Sequence, residues 1–369
     1  MGEPVRYGQG SFHRDVRDQV TVALARTGRG FAAGWRGWLR LLPAVVWFYG
    51  SYLLLVFASP SPPLVVALAV SMGLAITATL TNVVHEAEHL SLAKHRWVNL
   101  STAYLAAPFG LSGSWWAAKH NLSHHAFTHI AGHDTDLEHT PWMRLSTEQE
   151  WHAWYRYQHL YIWVLSPFLW LSMVLLGDAQ YIVHGRLKNG RQVAPNSAVC
   201  TLGRVVEKLA GAAVLVGVAC LFHPWAAVVG VAILAMLFTG VTLAPILAVG
   251  HYVDTATFPD PDRDGSISEE WAVSQVRGAA NVRLANPVLR WYFGGMHHHI
   301  EHHLFPLMGH AHYPVIAPIV REQCAARGIP YQEFASLRVA LGAHTRFLRL
   351  LGQPPPAPEL EQPPVGLVA

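Results

Sequence analysis

The sequence predicts an all-α, multi-pass membrane protein in which four membrane-crossing helices carry a cytoplasmic helical cap, and the cap holds a histidine-rich metal site. Three observations lead there. Of the 369 residues, 52% are hydrophobic and only 13% are charged, against about 25% charged in soluble domains. The apolar residues gather into runs of bilayer length. The 23 histidines far outnumber the 3 cysteines, and many of them fall into three clusters close to the ends of those runs.

Composition also excludes some classes. Cys200, Cys220 and Cys324 are far apart and form no C-x-x-C, so neither a disulfide framework nor a zinc knuckle is expected. A formal charge of +3 gives no reason to expect a nucleic-acid partner. The first forty residues scatter Arg and Asp without an early apolar stretch, so no signal peptide is expected.

Residues 1–40 read as a polar cytoplasmic segment, because Arg26, Arg29, Arg36 and Arg40 stand just before the first apolar run. Leu41–Ala58 is the first span, running outward, and the short uncharged link Ser59–Pro63 turns the chain into a second span, Leu64–Val84. Asn99–Trp116 is apolar but broken by Pro108, Gly110 and Gly113, which marks an interfacial or re-entrant piece. Three more apolar runs follow, Leu160–Gly177, Leu209–Phe222 and Trp225–Val249. If all three crossed, the last histidine cluster would lie on the wrong side of the membrane. Arg186, Lys188, Arg191, Arg204 and Lys208 mark the link after the first run as cytoplasmic, so Leu160–Gly177, with its central Pro167, is expected to bend and stay on that side. Leu209–Phe222 is short for a span and must borrow Val205 and Val206, leaving Glu207 and Lys208 at the interface. Trp225–Val249 returns inward and ends at His251. Pro259–Ser268 is a polar loop, and from Glu269 the chain reads as a helical cap. The membrane unit is expected to cover 41–351, and 352–369 to be a disordered proline-rich tail.

The chemistry lies in the clusters. In G-G-M-H-H-H-I-E-H-H-L-F-P (Gly294–Pro306), His299, His302 and His303 stand at i, i+3 and i+4, so on a helix three imidazoles leave one face. K-H-N-L-S-H-H places His120, His124 and His125 at i, i+4 and i+5, and H-E-A-E-H places His85 and His89 at i and i+4. One such histidine alone is more often a satisfied core or surface residue. Three clusters in ligand register can hold more than one metal ion.

These three boxes, H-x-x-x-H, H-x-x-x-H-H and H-x-x-H-H following paired spans, resemble those of the membrane fatty acid desaturase family. N-L-S-H-H-A-F-T-H with G-H-D-T-D, W-A-V-S-Q-V-R-G-A-A-N and the later H-Y-P resemble its front-end and linoleoyl-type branch, and the likeness runs from about Leu41 to Leu351. The resemblance implies a di-iron site on the cytoplasmic side, dioxygen as co-substrate, and a further ligand at His251. It therefore implies nine ligands: His85, His89, His120, His124, His125, His251, His299, His302 and His303. Removing hydrogen from an unactivated methylene needs a strong oxidant that redox-inert zinc cannot supply. Imidazole suits iron, zinc and copper alike, so ligand type leaves the metal open and the resemblance selects iron. The implied reaction places a double bond in a long acyl chain carried on a lipid, CoA or carrier protein. The chain has no H-P-G-G haem motif, so electrons are expected from a separate ferredoxin or cytochrome b5-type donor. The branch usually has N-Y-Q before its final I-E-H-H, whereas His297, His298 and His299 stand here, which bears on where the double bond is placed.

Glu86, Glu88, Glu301, Asp134 and Asp136 are candidates for orienting ring N–H groups, with Glu88 more readily read as a solvated helix face. His129, His133, His297, His298, His310 and His312 lie near the boxes but out of register, so they read as supporting or surface residues, and His13, His152, His223 and His344 as polar surface. Three rival functions compete. A hydroxylase or ketolase of the same superfamily shares the ligand set. An intramembrane zinc protease would use H-E-A-E-H as H-E-x-x-H, but leaves six other clustered histidines without a role. A metal transporter would place its ligands at mid-membrane, not at helix ends.

Overall fold

Residues 5–137 and 141–355 are described by the computed structural model of the chain. Among the described residues, three helices are long and apolar enough to cross a bilayer: Trp35–Phe57, Pro62–Glu88 and Trp225–His251. Their 23 to 27 residues correspond to about 35–40 Å of helix. They contain the first, second and fourth expected spans but run further toward the cap. Thus His85 lies inside the second helix, His89 directly follows it, and His251 is the last residue of the third. Outward faces are apolar, with Leu42 and Val46 each 60% exposed, as lipid contact requires. Inward faces use small and hydroxyl residues: Thr77 and Thr242 hydroxyls meet at 2.7 Å, and Thr239 Oγ1 donates to Gly73 O at 3.1 Å. Such contacts hold membrane helices together where lipid supplies no hydrophobic drive.

The remaining expected span, Leu209–Phe222, is not among those three. Its residues continue helix Ala198–Ala212 through a π-turn at Ala213–Gly217 and end in Val218–Cys220. The charges expected at an interface are instead satisfied inside the protein. Glu207 accepts from Ser114 N, Ser114 Oγ and Ser112 Oγ, and Lys208 pairs with Asp178 at 2.6 Å. The Leu160–Gly177 run is bent as its proline suggests: helices Ala153–Leu165 and Phe168–His184 meet at 92°. Asn99–Trp116 is likewise broken, into helix Arg96–Ala103, a 3₁₀ stretch Tyr104–Phe109 and a short helix from Gly113.

The cap is built from helices Trp271–Arg277, His299–Leu304, Tyr313–Ala326 and Leu337–Leu351. Its core joins Ile300, Leu304, Ile316 and Val320 to an N-terminal helix, Phe12–Arg26, that was not expected. The signal for that helix was present: Phe12, Val16, Val20 and Leu24 recur every fourth residue, and all four are buried. The all-α expectation needs a small amendment. Arg6–Gly8 pairs in parallel with Ser266–Glu270, and Asn281–Val282 with Glu333–Phe334. The first pair ties the N-terminal segment to the cap, and the carboxylate of Glu270 then caps Phe12–Arg26 by accepting from Phe12 N and His13 N. Of the proline-rich tail, residues 356–369 lie outside the described residues.

Candidate metal centre

The first two histidine clusters are set by π-turns. Leu80–Val84 is π-helical immediately before His85, and Ala118–His124 is π-helical through the second box. In the second box His125 N donates to His120 O, an i to i+5 bond that brings those two rings to one side. The third cluster sits on the helix His299–Leu304, which follows the glycine pair Gly294–Gly295. Gly294 has φ +59 and stands where a Cβ would meet Thr81 O at 2.2 Å, so only glycine lets this segment close on the second span.

The structure brings all nine of the implied ligands into one buried group. His85, His89, His120 and His302 offer nitrogens lying within 4.8 Å of one another, as do His124, His251 and His303, while His125 joins His302 and His303 between the two sets. His299 Nε2 lies 2.7 Å from His251 Nε2.

Ring orientation follows from what each Nδ1 touches. His251 Nδ1 lies 3.0 Å from Gly278 O, and His299 Nδ1 3.2 Å from Met296 O; a carbonyl only accepts, so both Nδ1 atoms carry the proton. His124 Nδ1 faces the Asp134 carboxylate at 3.1 Å, and His303 Nδ1 faces Gln275 Oε1 at 2.8 Å. His302 Nδ1 is 3.3 Å from the Tyr313 hydroxyl. For His85 the chain has one more link. Gly294 O accepts from His310 Nδ1, which leaves His310 Nε2 to accept from His85 Nδ1 at 3.2 Å. His85, His251, His299 and His303 therefore direct an Nε2 lone pair inward, as does His124 when its ring is neutral.

The Nε2 atoms face each other. Nε2–Nε2 separations are 3.0 Å for His124–His251, 2.7 Å for His299–His251, 3.0 Å for His85–His120 and 3.2 Å for His125–His120. The Nε2 atoms of His89, His302 and His303 are buried with no hydrogen-bond partner among the described residues. Two acceptors at such distances repel unless a cation lies between them. Neighbouring imidazoles at right angles around a metal with bonds of about 2.1 Å stand about 3 Å apart, so the residues fit one or more metal ions.

Charge agrees with that fit. Burial, then the neighbouring histidines, push His120, His125, His302 and His303 well below the ordinary imidazole value, and His299 to about 3, so these rings are neutral and available as ligands. His124 is the exception: burial would lower it, but the carboxylates of Asp134 and Asp136 outweigh burial and leave it raised.

The carboxylate candidates separate. Asp134 orients His124 and also accepts from His129 N and Asp136 N. Asp136 faces His124 Nδ1 at 3.4 Å and pairs with Lys119. Glu86 accepts from His310 N at 2.7 Å, so it supports the His85 relay through the backbone. Glu301 does not orient a ligand ring: it accepts from Asn281 at 2.8 Å and from Tyr331 at 2.7 Å. Glu88 is no solvated face, being buried with Oε1 unpartnered. His344 is likewise not surface; it is 3% exposed and donates from Nδ1 to Tyr252 O. Gln275 and Tyr313 were not singled out from the sequence, although W-A-V-S-Q-V-R-G-A-A-N and H-Y-P contain them. Their only signal was position within those stretches, because contact with His303 and His302 is made across the fold.

Apolar helices of membrane-crossing length carrying a buried polyhistidine group define the class: a helical membrane protein whose site could hold metal. The family model for fatty acid desaturases matches residues 60–335. The chain is 31% identical over 296 residues to an sn-1 linoleoyl-lipid 6-desaturase from Arthrospira platensis, covering 79% of each protein. It is 28% identical over 348 residues to a protein of that same name from Synechocystis sp., covering 93% of this chain and 96% of that one. It is also 28% identical over 312 residues to an acyl-lipid (8-3)-desaturase from Physcomitrium patens, covering 83% of this chain and 64% of that protein. The chain belongs to the fatty acid desaturase family and is a fatty acyl desaturase.

Proposed function

We propose that this desaturase holds two iron ions through His85, His89, His120, His124, His125, His251, His299, His302 and His303, and that it acts on an acyl chain carried by a membrane lipid. The facing Nε2 atoms support the reading, since His251 and His299 both carry their proton on Nδ1 and so bring two lone pairs to 2.7 Å, which a cation between them would reconcile, and the two nitrogen groups around His85 and His251 supply two places. Iron, when bound, supplies with dioxygen the oxidant needed for an unactivated methylene. Over a turnover the acyl chain loses two hydrogens, dioxygen leaves as two waters, and a donor supplies two electrons with two protons from solvent. His310, Asp134, Gln275 and Tyr313 hold the rings in the tautomer that directs Nε2 inward. The lipid substrate is supported by the names of the relatives and by two apolar spaces. A cavity of about 590 Å³ lies between the membrane helices, and a pocket of about 30 Å³ touches both His85 and Met296. We read them as the path of the acyl tail.

Loop charge puts the centre on the cytoplasmic side. An external donor is supported by the face over the second box. No Asp or Glu occurs between Leu90 and His133, where Lys94 and Arg96 are exposed, Leu122 is 46% exposed between His120 and His124, and exposed Arg191 donates to Leu122 O. An acidic electron carrier fits there.

The test is metal analysis together with product analysis. Purified protein should hold about two irons per chain, and His251→Ala should lose metal while still inserting. Lipid extracts from an expressing host should contain chains lighter by two hydrogens. Zinc as the native metal, or chains carrying an added oxygen instead, would overturn the reading.

A further inference from the structure

We propose that Trp170 is a specificity-determining residue: its indole divides the acyl path in two and sets how much tail extends beyond the metal centre. The proposal rests on the acyl path described above.

The two spaces share their walls. On helix Pro62–Glu88, Met72 and Ile76 line the large cavity while Leu80 and Val84 line the small pocket, and a spacing of four keeps them on one face. On helix Trp225–His251, Val231 and Ala235 line the cavity while Leu243 and Leu247 line the pocket. In the intervening turn Gly110 borders the cavity and Leu111 the pocket; beyond the 92° bend the corresponding pair is Val174 and Trp170. Four strips of wall therefore run from one space into the other. Trp170 heads the fully buried side chains by volume among the described residues, at 1% exposure. Nine residues separate Ile76 from His85, about 14 Å of helix, so the interruption falls within reach of an acyl chain whose reacting carbon lies beside the metals.

Two features mark this tryptophan as more than filling. Its anchor is rigid: the carbonyls of Ser166 and Pro167, just before it, lie 2.5 and 2.2 Å from where a Cβ on Gly240 would stand. Gly240 thus lets the bend pack directly on helix Trp225–His251, which places Trp170 at the wall of the path. Its Nε1 is also buried without an acceptor among the described residues, a cost that phenylalanine would avoid in a purely structural role. The longer indole closes a gap that a smaller ring would leave open.

The experiment supplies membranes of an expressing host with glycerolipids bearing acyl chains of graded length, and reads product length and double-bond position by mass spectrometry, normalised to bound metal. Trp170→Ala should raise turnover of chains one or two methylenes longer than the preferred one, relative to that one, by about 10-fold or more, the usual worth of a methylene in an apolar pocket. Ile76→Trp, which adds a plug on the cavity side, should shift the preference by a similar factor toward shorter tails. An unchanged profile in metal-replete Trp170→Ala, with Ile76→Trp shifted, overturns the role of Trp170 and leaves the path standing. An unchanged profile in Ile76→Trp shows that the tail does not pass that residue and overturns both. Should Trp170→Ala fail to accumulate, Trp170→Phe provides the same comparison with the core filled.

Discussion

Replacing His310 by alanine tests whether ring orientation is built as the hydrogen-bond chain implies. In the native protein Gly294 O holds His310, and His310 Nε2 accepts from His85 Nδ1 at 3.2 Å. The variant leaves His85 Nδ1–H without an acceptor in a site where His85 is 6% exposed, which costs about 1–3 kcal/mol. It also frees the ring to turn its lone pair away from His120. Loss of such an outer partner lowers metal affinity by about 10–100-fold, equivalent to roughly 1.4–2.8 kcal/mol, in agreement with the first figure. The assay is competitive chelation of the purified protein followed by metal analysis, with His152→Ala as control, because the ring of His152 lies against Trp154 and Tyr155, away from the histidine group. Affinity equal to wild type would refute the relay. Complete loss of one metal, as severe as for His85→Ala, would also refute it, by making His310 a ligand itself.

Three further outcomes follow from particular contacts. Glu301→Ala removes the acceptor for Asn281 and Tyr331 and should lower stability by roughly 3 kcal/mol in thermal melts, while the metal content of the folded fraction stays at the wild-type level. In the metal-free protein, the part of the stability that depends on the buried histidines should be fully present above about pH 6.5 and be lost as pH drops toward 4 and below. The unfolded chain then takes up protons that the buried rings of His129, held at about 4, and His299, held at about 3, refuse; melts across that range that show no slope would contradict this. Reporter fusions after Gly177 and after Phe222 should read inside and outside respectively, and an outside signal after Gly177 would sink the proposed topology.

The sequence by itself determined the membrane class, the bend at Pro167 and the identity of the converging histidines. Apolar runs, a helix-breaking ring and ligand spacing within one turn are local properties, written in neighbouring residues. Helix Phe12–Arg26 belongs with them, since its four-residue spacing is equally local. Only the tertiary structure decided how the clusters meet. The π-turns before His85 and through His120–His124 arise from packing around the site, and no local pattern distinguished them from an α-helix. The partners that fix each ring come from distant segments, such as Gln275 for His303 and Gly278 for His251, so spacing could not reveal them. Carboxylates show the same division. Asp134 and Glu301 look alike beside their boxes, yet one faces a ring and the other Asn281 and Tyr331, because a carboxylate is used by whichever donor the fold brings to it. The charges of Glu207 and Lys208, read locally as interface residues, are likewise satisfied by Ser112, Ser114 and Asp178, which only folding places beside them.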